Sequence, residues 1–298
     1  MMKPVFFLIL LSLFSCRKSN NNDDNNSYSS KEIQYKNISG VDSNLLSLDI
    51  YHYSDNKTRP IIIWIHGGGW AIGDKRNSLE NKKSLFNSLG YVFVSINYRL
   101  SPFPYEVNNP SRIKFPIHNI DIADAIKWVY DNIENYGGDK NRIILLGHSA
   151  GAQLVALTGT NLSFLQQAGV PINSIKGIAV IDTQAYDIYE LIRSNASNMY
   201  KNAFGTDQNE NISASAIRNI SPNTHYPNFF IAKRGDSARI SKANQFIQTL
   251  QNNNIYVEQV DGSIYTHGEI NEAIGKKNEN VITPVLKHFF EYCLNTQN

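Results

Sequence analysis

Short apolar runs alternate along the chain with longer stretches in which apolar residues lie three or four positions apart. The first pattern indicates strands and the second indicates helices. Strands are predicted over residues 32–37, 45–53, 60–65, 91–96, 142–146, 175–181, 228–232 and 255–260, and helices over 78–89, 117–136, 152–157 and 240–250. The run over residues 60–65 is apolar throughout, as expected for a strand buried on both faces of a parallel sheet. The alternation predicts an α/β fold with a mostly parallel central sheet, right-handed crossovers and helices on both faces.

A Gly-His-Ser-Ala-Gly motif at residues 147–151 follows one apolar strand directly and precedes a helix-compatible run. Strand, tight turn and helix form the context in which a G-x-S-x-G motif is a nucleophile elbow. Both glycines are expected to be needed because side chains would clash where the strand packs on the helix. The pattern predicts that Ser149 is exposed at the carboxyl end of its strand, where the helix begins. A turn of small residues without chemistry is the alternative.

A second glycine-rich motif, His-Gly-Gly-Gly-Trp at residues 66–70, follows the apolar strand over residues 60–65. Successive glycines let the backbone bend so that its N–H groups point into a cavity. A loop of this kind supplies part of the oxyanion hole in lipases and esterases, and the residue after the nucleophile supplies another part. We therefore predict that the N–H groups of Gly68, Gly69 and Ala150 form an oxyanion hole. A flexible surface loop is the alternative.

Five segments together resemble the carboxylesterase and hormone-sensitive-lipase-like branch of the α/β-hydrolases: residues 64–70, 97–101, 116–128, 137–139 and 147–151. The resemblance covers roughly residues 45–290, and the Gly-His-Ser-Ala-Gly form is closer to arylformamidase-like, feruloyl and acetyl-xylan esterases than to the members with Gly-Asp-Ser-Ala-Gly. It implies the α/β-hydrolase fold and a Ser-His-Asp triad that needs no metal or other cofactor. It also implies that an insertion over residues 182–226 caps the site. A helical insertion that only packs on the core is the alternative.

The general base is predicted to be His267. This histidine follows the last predicted strand, over residues 255–260, and a short loop, which matches the position of the catalytic histidine in the resembled family. The competing His66 is interpreted as a structural hydrogen-bonding residue of the glycine loop.

The triad acid is predicted to be Asp236, in the loop after the strand over residues 228–232. The resembled family usually has a glycine, two further residues and then the aspartate, whereas here Asp236 follows Gly235 directly. Two alternatives stay open. Asp236 could cap the helix predicted over residues 240–250, and Asp182, which directly follows another strand, could be the acid.

These residues predict acyl transfer in which Ser149 attacks an ester carbonyl, His267 accepts its proton and Asp236 holds the imidazole. The expected substrates are short-chain, aryl or carbohydrate esters outside the cytoplasm. One alternative is an arylformamidase-like amide hydrolase with the same triad. Another is a binding protein that has the hydrolase fold without its chemistry.

The N-terminal residues 1–15 have the composition of a secretory signal, with one lysine before an apolar segment too short to span a membrane. Residues 13–16, Leu-Phe-Ser-Cys, resemble a bacterial lipobox, in which the cysteine is lipidated. We therefore expect Cys16 to anchor an exported lipoprotein at the periplasmic or cell-surface side, with residues 16–30 as a disordered tether. Ordinary signal cleavage is the alternative. Residues 31–298 remain for one α/β-hydrolase domain.

Composition narrows the choice of partners. A formal net charge of +2 without a basic stripe argues against nucleic acid. Only two cysteines are present, and no Cys/His spacing is typical of zinc, so neither a disulfide framework nor a metal site is expected. Cys293 is interpreted as a small packing residue. The expected partners are an ester substrate, small or polymer-borne, and a membrane reached through the lipid.

Overall fold

A computed structural model describes residues 28–55, 57–194 and 196–295. The strands are β1 Tyr28–Gln34, β2 Ser47–Tyr53, β3 Arg59–Ile65, β4 Val92–Ile96, β5 Gly138–His148, β6 Ile175–Ile181, β7 Asn228–Lys233 and β8 Val257–Asp261. The α-helices are α1 Glu80–Ser88, α2 Ile117–Asn132, α3 Ala150–Thr160, α4 Ser163–Ala168, α5 Ile188–Arg193, α6 Asn198–Phe204, α7 Gln208–Ser213, α8 Ser237–Asn252, α9 His267–Ala273 and α10 Thr283–Asn295. Short 3₁₀ helices cover Ser43–Leu46, Ile133–Tyr136, Ile172–Ser174 and Ala216–Asn219.

The eight strands form one sheet in the order β1-β2-β4-β3-β5-β6-β7-β8. Strand β2 pairs antiparallel with both β1 and β4, and every other pairing is parallel. Helices cover both faces, because side chains that alternate along a strand belong to two different apolar clusters. Ile61 and Ile63 of β3 pack in the cluster that includes α2, α3 and α8, while Ile62 packs with α1, α9 and α10. The predicted mostly parallel α/β architecture is confirmed.

The register of the two central strands decides which residues meet at the carboxyl edge of the sheet. His148, the last residue of β5, lies opposite Ile181, the last residue of β6. The residues that follow, Ser149 and Asp182, are therefore neighbours where the chain leaves the sheet. The N–H of Ser149 donates to the carbonyl of Ile181 at 3.0 Å, and the N–H of Asp182 donates to the carbonyl of Ala232 in β7 at 2.9 Å.

The insertion over residues 182–226 contains three short helices, α5 to α7, and the 3₁₀ helix Ala216–Asn219. It is tied to α3 through Gln153, whose side-chain amide donates to the carbonyl of Ala214 at 3.2 Å. The insertion therefore lies against the helix that begins at the nucleophile elbow.

The predicted signal segment, Cys16 and most of the proposed tether lie outside the described residues. Within residues 28–55, 57–194 and 196–295, no helix combines the length and the apolar character that a membrane crossing requires. Cys293 is buried in the cluster of α1, α9 and α10, which confirms its interpretation as a packing residue.

Candidate active site

Ser149 sits on a sharp turn between β5 and α3, with a φ of 57° that is rare for a residue with a side chain. The flanking glycines are required by close packing. A Cβ on Gly147 would lie 2.3 Å from the carbonyl oxygen of Gly151, and one on Gly151 would lie 2.2 Å from that of Ile65. The predicted role of both glycines in the elbow is confirmed.

Gly151→Ala is expected to lower the free energy of unfolding by about 3 kcal/mol, because the clashing atom belongs to the backbone of β3 and cannot rotate away. Urea denaturation of the purified protein measures the change. Gly268→Ala in α9 is the matched control, since a Cβ there meets nothing within 4 Å. It should stay within about 1 kcal/mol of the wild type. Equal stability of the two variants would contradict the packing argument.

A chain of hydrogen bonds links Ser149, His267 and Asp182. The His267 Nε2 lies 2.8 Å from the Ser149 Oγ, and its Nδ1 lies 2.6 Å from the Asp182 Oδ2. The aspartate is fully buried, whereas the side chain of His267 is 46% exposed at the cavity. The elements supplying these residues are far apart in the chain but meet at one edge of the sheet.

Asp182 is held in its ionised form. Burial by itself would raise the pKa of Asp182, but hydrogen bonds from His267, Arg234 and Arg239 outweigh burial and hold the pKa well below its usual range. Both guanidinium groups lie 2.5 Å from its oxygens. Because an ionised carboxylate only accepts hydrogen bonds, the proton of the imidazole must be on Nδ1. The lone pair of Nε2 is then directed at the Ser149 hydroxyl.

The expectation that Asp236 contacts the imidazole is wrong. Asp236 is the N-cap of α8, and its side chain accepts from the backbone N–H of Arg239 at 2.9 Å. The capping alternative therefore holds for this residue, since the first N–H groups of a helix need acceptors. The carboxylate at His267 is Asp182, which was the open alternative in the sequence.

Two features outside the hydrogen-bond chain fix the position of His267. Thr266 caps α9 and forms a capping box with Glu269, so the helix begins at the histidine. His148 donates from Nε2 to the backbone carbonyl of His267 at 2.9 Å, and the two ring centres are 4.6 Å apart. Burial and the neighbouring His267 lower the pKa of His148 to about 3, so its ring is neutral at pH 7.

The glycine loop after β3 faces Ser149. Gly68 and Gly69 have φ angles of 117° and 59°, which residues with side chains rarely adopt. Inside the loop, His66 donates from Nδ1 to the carbonyl of Gly67 at 2.7 Å, which confirms its structural role. On the other side of the serine, Ala150 is the first residue of α3, so its N–H has no acceptor within the helix.

Trp70 anchors the end of the glycine loop. It is buried, packs edge-on against Phe204 of the insertion, and donates from its indole to the Gln153 Oε1 at 3.1 Å. Gln153 thus joins the loop to α3 and to the insertion. Trp70 is therefore a packing residue as well as part of the cavity wall.

A cavity of about 670 Å³ opens beside Ser149. Its wall includes the glycine loop with Gly68 and Gly69, Ala150, and the insertion residues Thr183, Gln184, Ser197, Met199 and Tyr200. The structure therefore brings the predicted Ser149, His267, Gly68, Gly69 and Ala150 to one cavity, together with Asp182 instead of Asp236.

A sequence profile of the BD-FAE family matches residues 48–250, which is most of the chain. The chain belongs to the BD-FAE family. Esterase LipQ of Mycobacterium tuberculosis is 36% identical over 163 residues, covering 52% of this chain and 34% of that protein. LipM of the same organism, named as a probable carboxylic ester hydrolase, is 38% identical over 113 residues, covering 37% and 24%. This BD-FAE chain therefore spans about a third of the length of LipQ and about a quarter of the length of LipM.

Solved esterase structures have a similar fold. Esterase B from Lactobacillus rhamnosis, inhibited by a tributyrin phosphonate, has a TM-score of 0.68 at 19% identity, covering 88% of this chain and 84% of that chain. The esterase of Pyrobaculum calidifontis has a TM-score of 0.65 at 21% identity, covering 83% and 82%. Together with the eight-stranded sheet, these similarities show that the BD-FAE chain has the predicted α/β-hydrolase fold.

Three side chains of this BD-FAE site also have the types that bind metal ions. His148, Asp182 and His267 bring possible ligand atoms within 4.8 Å of one another. Each of the three already forms hydrogen bonds inside the protein, to the serine, to a carbonyl or to the arginines. Those bonds account for the closeness of the three groups without an ion.

The sequence interpretation missed His148, Gln153, Arg234 and Arg239. All four support another site residue through a hydrogen bond across the fold, and no local motif marks the contacts of His148 and Gln153. For Arg234 and Arg239 there was a signal, namely two cations flanking the exit loop of β7 at the sheet edge.

Proposed function

We propose that this protein is a serine carboxylic-ester hydrolase with Ser149 as nucleophile, His267 as general base and Asp182 as the acid of the triad. The observation that carries the proposal is the relay of 2.8 Å and 2.6 Å hydrogen bonds from Ser149 through His267 to Asp182 beside a cavity. A nucleophile, a base and a residue that orients the base are the three parts that acyl transfer needs. The esterase relatives support the same reaction class.

In this mechanism the Ser149 Oγ attacks the ester carbonyl while the His267 Nε2 takes its proton. The ionised Asp182 keeps the Nδ1 proton in place and stabilises the imidazolium that forms. The N–H groups of Gly68, Gly69 and Ala150 donate to the tetrahedral oxyanion. Each such donor contributes about 3 kcal/mol of transition-state stabilisation.

His267 then returns its proton to the leaving alcohol, which departs and leaves an acyl group on Ser149. Water attacks the acyl carbonyl with His267 again as the base, and the serine is regenerated with release of the acid. The residues named here account for both steps by nucleophilic, acid–base and electrostatic catalysis.

The proposed substrates are short-chain, aryl or carbohydrate esters outside the cytoplasm. The size of the cavity and its mixture of apolar and polar wall residues support small esters of this kind. The lipobox-like segment at residues 13–16 supports export and attachment through Cys16. The insertion over residues 182–226 supplies part of the cavity wall, which supports its role as a cap over the site.

Labelling with a fluorophosphonate tests the proposal, because this reagent forms a covalent bond with an activated serine. The wild-type protein should be labelled at Ser149, as located by peptide mass spectrometry, and should hydrolyse p-nitrophenyl acetate. Absence of both reactions in folded protein would indicate a binding protein with the hydrolase fold. Faster turnover of an N-formyl arylamine than of any ester would favour the amide-hydrolase alternative.

A further inference from the structure

The wall of the cavity beside Ser149 carries an unbalanced positive charge. Among the described residues that line the cavity, Arg239 is the only lysine or arginine. The sole carboxylate in that wall, Asp182, is 1% exposed, whereas the side chain of Arg239 is 22% exposed. A ligand in the cavity therefore meets the guanidinium rather than the carboxylate.

Asp182 does not neutralise this charge by itself, because it is shared between two cations. Arg234 and Arg239 each place a guanidinium nitrogen 2.5 Å from one of its oxygens. One negative and two positive formal charges leave an excess of one positive charge at the wall. Arg234 does not line the cavity, so the excess is presented through Arg239.

Arg239 has hydrogen-bonding capacity left for a ligand. Its Nη2 donates to Asp182, and its Nε donates to the carbonyl of Arg234 at 3.3 Å. Within the part of the chain that the structure describes, no acceptor is found for Nη1. A guanidinium that lines a cavity and has a nitrogen without an acceptor is suited to an oxygen anion.

Tyr200 adds a second donor to the lining of the same cavity. The Gln184 Nε2 donates to the phenol oxygen of Tyr200 at 3.2 Å, and both residues line the cavity. Because the phenol oxygen accepts this bond, its own hydrogen is available to a ligand. Burial raises the pKa of Tyr200, an effect that Gln184 and Arg239 reduce without cancelling, so the phenol keeps its proton.

We infer that Arg239 and Tyr200 form a carboxylate-binding subsite of the cavity, and that the preferred substrates are esters that also carry a carboxylate group. This inference rests on the proposed esterase function. Two donors match the two oxygens of a carboxylate, and one negative charge balances the excess positive charge. Arg239 and Ser149 line one cavity and are linked by hydrogen bonds through Asp182 and His267, so the carboxylate and the scissile ester belong to one small molecule.

Two pairs of esters test the inference, each consisting of an anion and its neutral methyl ester. The first pair carries the carboxylate on the acyl side: the p-nitrophenyl monoester of terephthalate and its methyl ester. The second carries it on the alcohol side: p-acetoxybenzoate and its methyl ester. In at least one pair, kcat/KM for the anion should exceed that for the methyl ester about tenfold, as expected for one charged hydrogen bond.

Arg239→Gln should remove that preference by lowering kcat/KM for the anion about tenfold more than for its methyl ester. Arg234→Gln is the matched control. It removes the same positive charge from beside Asp182, but Arg234 does not line the cavity. It should slow both esters of a pair equally and leave their ratio unchanged. Equal ratios in the wild type and Arg239→Gln, or the same change of ratio in Arg234→Gln, would overturn the inference.

The proposed esterase function is tested separately, by hydrolysis of the neutral esters and by the loss of that hydrolysis in Ser149→Ala. If the wild type hydrolyses none of the four esters, calorimetry on Ser149→Ala decides the subsite by itself. Benzoate should then bind about tenfold more tightly than benzamide, and the difference should vanish when Arg239→Gln is added. Equal binding of benzoate and benzamide, or tighter binding of phenyl phosphate than of benzoate, would refute a carboxylate subsite.

Discussion

Ser149→Ala is expected to lower kcat for p-nitrophenyl acetate by about a millionfold, because acyl transfer loses its nucleophile. The fold should be unaffected. Alanine meets the same backbone strain as serine at a φ of 57°, and the Ser149 hydroxyl bonds only to the partly exposed His267 among the described residues. Initial rates at saturating ester give kcat, and the melting temperature reports the stability of the fold.

A second substitution tests whether Ser149 and His267 act as one catalytic unit or contribute independently to the rate. His267→Ala alone should cost nearly as much as Ser149→Ala, since a serine without its base is a poor nucleophile. The double variant should then be no slower than either single variant. More than a hundredth of the wild-type rate in folded Ser149→Ala would show that another group attacks the ester.

The elbow and the glycine loop could be predicted from sequence because their requirements are local. Gly147 and Gly151 are needed where strand and helix backbones touch, and Gly68 and Gly69 are needed where φ is positive. Each requirement lies within a few residues of the catalytic candidate. A short stretch of sequence between a strand and a helix therefore carries enough information to place Ser149.

The carboxylate could not be chosen in that way. Asp182 and Asp236 both leave parallel strands at the same edge, and both lie between the serine and His267 in the chain. The choice depends on the register of β5 with β6, which places Asp182 directly beside Ser149. It also depends on Arg234 and Arg239, which bind Asp182 across more than fifty positions of sequence.

The extents of the helices could also be predicted only in part from the sequence. The pattern predicted a helix over residues 240–250, and the structure extends it to Ser237–Asn252 because Asp236 caps it. The helices of the insertion, α5 to α7, have six or seven residues each. Two turns give too few apolar repeats for a helical period to be recognised.

The assignment of the acid predicts opposite outcomes for one chemical change at two positions. Asp182→Asn is expected to lower kcat about ten-thousandfold. Asparagine has no charge to stabilise an imidazolium, and its amide N–H can donate to Nδ1, which favours the tautomer with the proton on Nε2 and removes the base from Ser149. The same substitution at Asp236 should change kcat less than about twofold, because asparagine caps a helix as well as aspartate does. The ester assay used for Ser149→Ala measures both variants.

Stability measurements separate an effect of these substitutions on catalysis from an effect on folding. Asp182→Asn leaves Arg234 and Arg239 without their carboxylate, although both side chains are partly exposed and can be hydrated. The loss of these ion pairs should lower its melting temperature. For this reason kcat must be measured below the onset of unfolding. Asp236→Ala provides the complementary control, since losing the cap should cost about 1 kcal/mol of stability while catalysis is retained. If Asp236→Asn abolished turnover while Asp182→Asn retained it, the hydrogen bond between Asp182 and His267 would have no part in catalysis, and Asp236 would be the acid.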